Sequence, residues 1–174
     1  MLTLILFRHA KSSWDHPELR DVDRPLAERG KKSAPKMAAW LARHGLAPDH
    51  VLCSSARRTR DTLDLALSKW KPRPTVVHSD DLYMASPATL LDAVRAAPAD
   101  TTRLMVIGHN PGLEAFAAEL TGAGDALARS AMAAKFPTAA VAIIDFDAAQ
   151  WSAIRRGKGR LTRFLTPRQL ASKE

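Results

Sequence analysis

The chain has 174 residues, 46% hydrophobic and 25% charged, with a net charge of +8 and a pI near 10.1. These proportions exclude a disordered or low-complexity chain, and the length suits one domain spanning 1–174 with a core that needs no disulfide or metal clip. Cys53 is the sole cysteine, which rules out an internal disulfide and fits a reducing cytoplasm, the expected location. The positive balance favours acidic partners: phosphorylated substrates, acidic protein, anionic lipid or nucleic acid.

In chain order, the apolar start Met1–Phe7 lacks a basic leader and stops at Arg8, so it reads as neither signal peptide nor membrane span but as a strand over Leu2–Phe7. Pro25–Arg43 places Leu26, Met37, Trp40 and Leu41 among charges and closes at Gly45, a helical pattern. Strands over Val51–Cys53, Thr75–His78 and Leu104–Ile107 then alternate with helices over Arg58–Leu67, Pro87–Ala97 and Pro111–Leu120, with Ala126–Ala134 a candidate fifth helix. Ala140–Phe146 and Arg160–Leu165 read as strands. Their connection, with Trp151 and Gly157-Lys158-Gly159, is short for a crossover helix, which predicts an antiparallel pair at a sheet edge. The pattern predicts an α/β three-layer sandwich, a mostly parallel sheet flanked by helices with an antiparallel edge.

Three polar clusters follow buried strands: Arg8-His9, Ser54-Ser55 leading to Arg58, and Gly108-His109-Asn110-Pro111-Gly112. In open α/β sheets, ligands bind beyond the carboxyl ends of the strands, where all three would fall. Two guanidiniums suit a phosphate dianion, because each planar fork can bond two of its oxygens. A neutral imidazole among them can attack phosphorus. Asn110 is expected to cap the following helix with Pro111 in first position, and Ser55 to cap the helix containing Arg58, so that free N–H groups face the anion. Taken singly, each element has a plainer reading: a packed strand-end histidine, a tight turn at residues 108–112, or an exposed basic helix start at Arg57, Arg58 and Arg60. Their coincidence at successive strand ends favours the phosphate site.

These residues resemble the histidine phosphatase superfamily, the phosphoglycerate-mutase-like fold. Arg8-His9-Ala10 matches its Arg-His-Gly signature with alanine for glycine, Ser54 to Thr62 matches its Ser-x3-Arg-x3-Thr segment and selects Arg58, and Gly108 to Gly112 matches its second-histidine motif. Within it the chain is similar to the small SixA-type phosphohistidine phosphatases, through Arg8 to Trp14, Asp23-Arg24-Pro25-Leu26 with Arg29-Gly30, and Leu165-Thr166-Pro167. The resemblance implies that His9 attacks phosphorus and is freed by water, while Arg8, Arg58 and His109 hold the equatorial oxygens. Neither metal nor other cofactor enters this scheme. Lys11, Ser12, Ser13, Arg24 and Asn110 are candidate substrate contacts, although Arg24 has an alternative as an ion-pair partner of Asp21 or Asp23. The superfamily's general acid has no secure match; Asp80 and Asp81 are the candidates, with capping or solvation as the other reading.

The expected function is therefore a cytoplasmic phosphatase acting on a phosphohistidine-bearing protein in signalling or phosphorelay. One rival is a phosphatase of small phosphate esters on the same fold. Another is a non-catalytic phosphate- or nucleic-acid-binding module, which would not need the full Arg-His, Arg, His set; aromatics are also too scarce for base stacking. A cysteine phosphatase is disfavoured, since only four residues separate Cys53 from Arg58. The basic run Arg155–Lys173 is expected either to be a solvated face or, through Arg155, Arg156 and Lys158, to guide acidic protein substrates.

Overall fold

Alternation along the first strand sets up the two faces of the sheet. In the computed structural model, which describes residues 1–172, β1 (Leu2–Arg8) turns Leu4 and Leu6 to one side and Ile5 and Phe7 to the other, all four fully buried. A strand apolar on both sides has to be covered by helices on both. The first side carries α3 (Pro87–Arg95), α4 (Gly112–Leu120) and α5 (Ala126–Ala134). The second carries α1 (Glu28–Arg43) and α2 (Arg57–Leu67), with Leu170 of the short α6 (Pro167–Ala171) packed against the same cluster.

The sheet has seven strands in the order β3-β2-β4-β1-β6-β7-β5. β2 (His50–Ser54), β3 (Thr75–Ser79) and β4 (Arg103–Gly108) join β1 in parallel, and β6 (Val141–Phe146) runs antiparallel to both β1 and β7 (Gly159–Leu165). This is the expected α/β sandwich with its antiparallel flank. No described helix is long and apolar enough to cross a membrane.

Three local expectations are corrected. The first helix begins at Glu28 rather than Pro25, because residues 25–27 run extended against the loop after His9: Leu26 bridges Ser12 and the Ala27 N–H donates to the Lys11 carbonyl. β5 (Thr121–Gly124) has no counterpart in the predicted elements. Its glycines disguise it, yet the pairing with β7 requires them, since a Cβ on Gly122 or Gly124 would lie 1.9 Å from the Gly157 carbonyl oxygen or 2.1 Å from that of Leu161. α6 was also absent from the predicted set, although Thr166 and Gln169 form a reciprocal capping box at its start with Pro167 in first position.

Register also decides which end of the sheet each basic residue occupies. Arg160 lies opposite Asp145, which lies opposite Thr3, so the connection holding Arg155, Arg156 and Lys158 meets the sheet at the amino end of β1. That is a strand length, about 20 Å, from the carboxyl end that bears Arg8. Arg156 is engaged there by Glu119 at 3.0 Å, and the Arg163 guanidinium lies over the Trp40 ring at 5.4 Å. Arg155, Arg156 and Lys158, expected either to form a solvated face or to guide acidic substrates, thus lie at the end of the sheet opposite Arg8 and His9.

Candidate active site

β1, β4 and β2 end side by side, Arg8 opposite Gly108 and Cys53 opposite Ile107, so the residues just beyond them converge. His9 and His109 are buried, with ring centroids 5.3 Å apart. His9 Nδ1 lies 2.7 Å from the carbonyl oxygen of Ala10. A carbonyl only accepts, so Nδ1 carries the proton and Nε2 keeps its lone pair. Burial, reinforced by His109 and both arginines, pushes the His9 pKa down to about 3. Burial, then Arg58, pushes that of His109 down to about 3 as well. Both imidazoles are thus neutral at pH 7, as a nucleophile must be.

His109 Nε2 is hydrogen-bonded with Ser54 Oγ at 2.7 Å, which fixes the ring from β2, and Tyr83 meets it edge-on at 5.4 Å. Arg8 donates Nη1 to the Phe136 carbonyl at 3.0 Å, and the Asn110 amide donates to the same oxygen at 2.9 Å. Arg58 is 4% exposed and reaches Asp21, Nη1 to its carbonyl at 2.8 Å and Nη2 to its carboxylate at 3.0 Å. The Tyr83 hydroxyl donates to that same carboxylate, and Arg24 pairs with it at 3.1 Å. Tyr83, then Arg24 and Arg58, hold the Asp21 pKa down at about 2. Three buried polar atoms of this edge have no hydrogen-bond partner among the described residues: Arg8 Nε, His109 Nδ1 and Asn110 Oδ1. Buried donors without partners are costly, and two of these three can bond a phosphoryl oxygen, His109 Nδ1 in its protonated state.

The branch 1 model of the histidine phosphatase superfamily matches residues 4–83. An Agrobacterium tumefaciens structure provisionally named the phosphohistidine phosphatase SixA is 31% identical, with 95% of this chain and 98% of that one covered and a TM-score of 0.81. The chain belongs to the histidine phosphatase superfamily. A second SixA-type structure, from Nakamurella, gives 29% identity, a TM-score of 0.83 and coverage of 95% and 96%. An uncharacterised Mycobacterium leprae protein is 34% identical over 169 residues, 92% of this chain and 99% of that one. The fold is the phosphoglycerate-mutase-like one, and the chain is a histidine phosphatase of the SixA type.

In this phosphatase the other predicted contacts divide. Ser12 is buried and its Oγ accepts from Arg24 at 2.5 Å, while Arg24 also donates to the Ser13 carbonyl and stacks on Trp14 at 3.3 Å. Arg24 thus braces the loop after His9 and takes its ion-pair alternative with Asp21. Ser13 Oγ accepts from the Asp15 N–H, and Lys11 contributes its backbone carbonyl to Ala27. Asn110 does not cap α4, which starts at Gly112 with Pro111 in the cap position and no side-chain cap; the Asn110 NH2 donates to the Phe136 carbonyl and its Oδ1 meets no helix N–H. Ser55 does not cap α2 either; Ala56 occupies that position and its N–H donates to Ser54 Oγ at 3.4 Å. Asp80 and Asp81 are exposed in a single 3-10 turn whose amino end Ser79 caps. Cys53 is fully buried and burial pushes its thiol up to about 12, which removes it as a nucleophile at neutral pH. Among the described residues, no three His, Cys, Asp or Glu side chains group so as to hold a metal ion.

Reading the sequence alone passed over four contributors: Asp21 as the anchor of Arg58, Tyr83, the Ser54 hydroxyl and the Phe136 carbonyl. Asp21 stood only as a partner for Arg24, and Ser54 only as part of a motif. Tyr83 gave a weak signal as the single tyrosine, beside the Asp80-Asp81 pair.

Proposed function

We propose that the chain is a phosphohistidine phosphatase that works through a covalent phosphohistidine on His9. The observation that carries this reading is the fixed, neutral tautomer of His9, whose Nε2 lone pair is held among Arg8, Arg58 and His109. In the first step Nε2 bonds to phosphorus as the P–N bond breaks in a substrate ring already protonated on its other nitrogen, so the electron pair of that bond leaves with a neutral imidazole. In the second, water attacks the His9 phosphoryl group, releasing inorganic phosphate and the free imidazole. Arg8 and Arg58 balance charge on the equatorial oxygens, and His109 donates to one of them once protonated beside the dianion.

Leaving-group chemistry supports the phosphoramidate over an ester. An imidazole departs with a conjugate-acid pKa of about 6.5, whereas an alkoxide needs a positioned acid worth about 10²–10⁴-fold. Asp21, the carboxylate bonded to Arg58, is held ionised, while Asp80, Asp81 and Glu114, the last within electrostatic reach of Arg8, are exposed. No metal takes part in this scheme, and a protein substrate in cytoplasmic signalling completes the reading.

The test is labelling and turnover together. Wild-type protein is expected to hydrolyse a phosphohistidine protein at least about 10²-fold faster than an alkyl phosphate, by the acid-catalysis contribution, with a chelator making no difference. His9→Ala is expected to lose both turnover and acid-labile labelling; His109→Ala is expected to slow turnover while labelling persists. Normal labelling of His9→Ala would overturn the nucleophile, and equal or better activity on a sugar phosphate would overturn the substrate.

A further inference from the structure

Beside the catalytic edge, α1 and α6 flank a groove of about 650 Å³. Arg29, Lys32 and Lys36 of α1, Lys135 just after α5, and Arg168 of α6 stand around it, all exposed, and no described Asp or Glu lines it. Positions 29, 32 and 36 share one helix face, and like charges at this spacing weaken a helix, so the face is kept basic against local cost. Between the cations the groove is apolar, lined by Phe164, Pro137 and Leu170.

One wall of the groove adjoins the site without sharing a side chain with it. Lys135 and Pro137 bracket Phe136, whose carbonyl takes both Arg8 and Asn110, and the Ala139 N–H donates to the His9 carbonyl at 2.9 Å. β7 ends at Leu165, opposite Val141, which pairs with Phe7, so residues 166–168 also lie at the catalytic end. Anything seated here therefore abuts the segment that holds Arg8.

We propose that this groove docks an acidic, amphipathic segment of the phosphorylated protein substrate, its carboxylates on the Arg29, Lys32, Lys135 and Arg168 rim and its apolar side chains against Phe164 and Leu170. The proposal rests on the phosphohistidine-protein reading above. Charge complementarity selects the occupant: Arg29, Lys32, Lys135 and Arg168, with no described acid in the lining, favour an anionic partner, and the apolar lining favours side chains that a free phosphate lacks. A nucleic acid is disfavoured because Phe164, nearly buried, is the only aromatic ring in the lining.

The test compares two charge reversals of equal size in full-length protein: Lys32→Glu with Lys135→Glu and Arg168→Glu at the groove, and Arg155→Glu with Lys158→Glu and Arg160→Glu at the far end. Each is measured on a phosphohistidine protein, on phosphoimidazole, and by fluorescence anisotropy with a labelled Glu/Leu peptide that requires no turnover. The groove triple is expected to lower kcat/KM on the protein by about tenfold or more at low salt, less at high salt, and to weaken peptide binding similarly, with phosphoimidazole turnover unchanged. The milder triple of glutamines is expected to fall between, and the far-end triple to behave as wild type. Equal losses from the two reversals, unchanged protein turnover and peptide binding in both groove triples, or an oligonucleotide that displaces the peptide more tightly than the peptide binds would each overturn the docking site. If wild type ignores phosphohistidine proteins while peptide binding still depends on the groove cations, the catalytic reading falls and the acidic-segment groove stands.

Discussion

His9 places one ring nitrogen on the carbonyl of its own neighbour and thereby leaves the other free for the attack on phosphorus that we propose. Arg58 is shaped with similar economy: both terminal nitrogens of its guanidinium are placed by Asp21, which is itself gripped by Tyr83 and Arg24. A lysine cannot reproduce that planar fork. Arg58→Lys is therefore expected to reduce kcat on a phosphohistidine substrate by about 10²–10³, the usual loss for one preorganised donor, with an unchanged circular dichroism spectrum. Activity within threefold of wild type would show that a point charge suffices there. Cys53→Ser, by contrast, is expected to leave turnover nearly intact, because the thiol is buried and its pKa pushed up to about 12; a loss matching that of His9→Ala would restore the thiol as a nucleophile.

Among the elements, the start of α1 bears most directly on the site, because it fixes the loop that leaves His9. Gly30 lies so close to that loop that a Cβ would stand 2.3 Å from the Lys11 carbonyl oxygen and 2.9 Å from its nitrogen. Backbone cannot rotate aside as a side chain does, so Gly30→Ala is expected to cost about 1–3 kcal/mol as overpacking, a fall of several degrees in Tm. Turnover should fall with it, and an unchanged Tm would mean the helix shifts freely. The same region marks where the sequence is legible and where it is not. Apolar runs announced β1, β2 and β4, and the residues that end them were the natural candidates for the site, since ligands in open α/β sheets bind beyond the carboxyl ends of the strands. Residues 25–27 look helical yet are drawn into extended pairing by the loop opposite, a tertiary effect that periodicity does not record. The Asn110 cap failed for a related reason: the Phe136 carbonyl holds the side chain by its NH2 group and leaves Oδ1 without a helix N–H, and a backbone carbonyl leaves no mark in sequence.

At the scale of the whole molecule, two neutral imidazoles in the interior make stability depend on acidity. Their pKa values fall from 6.5 to about 3 on folding, so between these limits the unfolded chain binds more protons and stability rises with pH. The contribution is fully present above about pH 6.5 and is lost as pH falls towards 3. Thermal unfolding is expected at a lower Tm at pH 4 than at pH 7, and the His9→Asn/His109→Asn double variant should flatten part of that difference. The same slope in wild type and variant would mean that the imidazoles are protonated in the native state.

The Phe136 carbonyl joins what sequence keeps far apart. It receives Arg8 from the first strand and Asn110 from the fourth, yet it lies on the segment that follows α5 and outside the residues 4–83 that the family model matches. The edge that carries Arg8 and Asn110 consequently draws on the last third of the chain as well as the first. Substrate affinity and the docking of that last third are then two readings of one equilibrium. A phosphate mimic such as vanadate should slow amide exchange at residues 136–140 as much as it slows exchange beside His9.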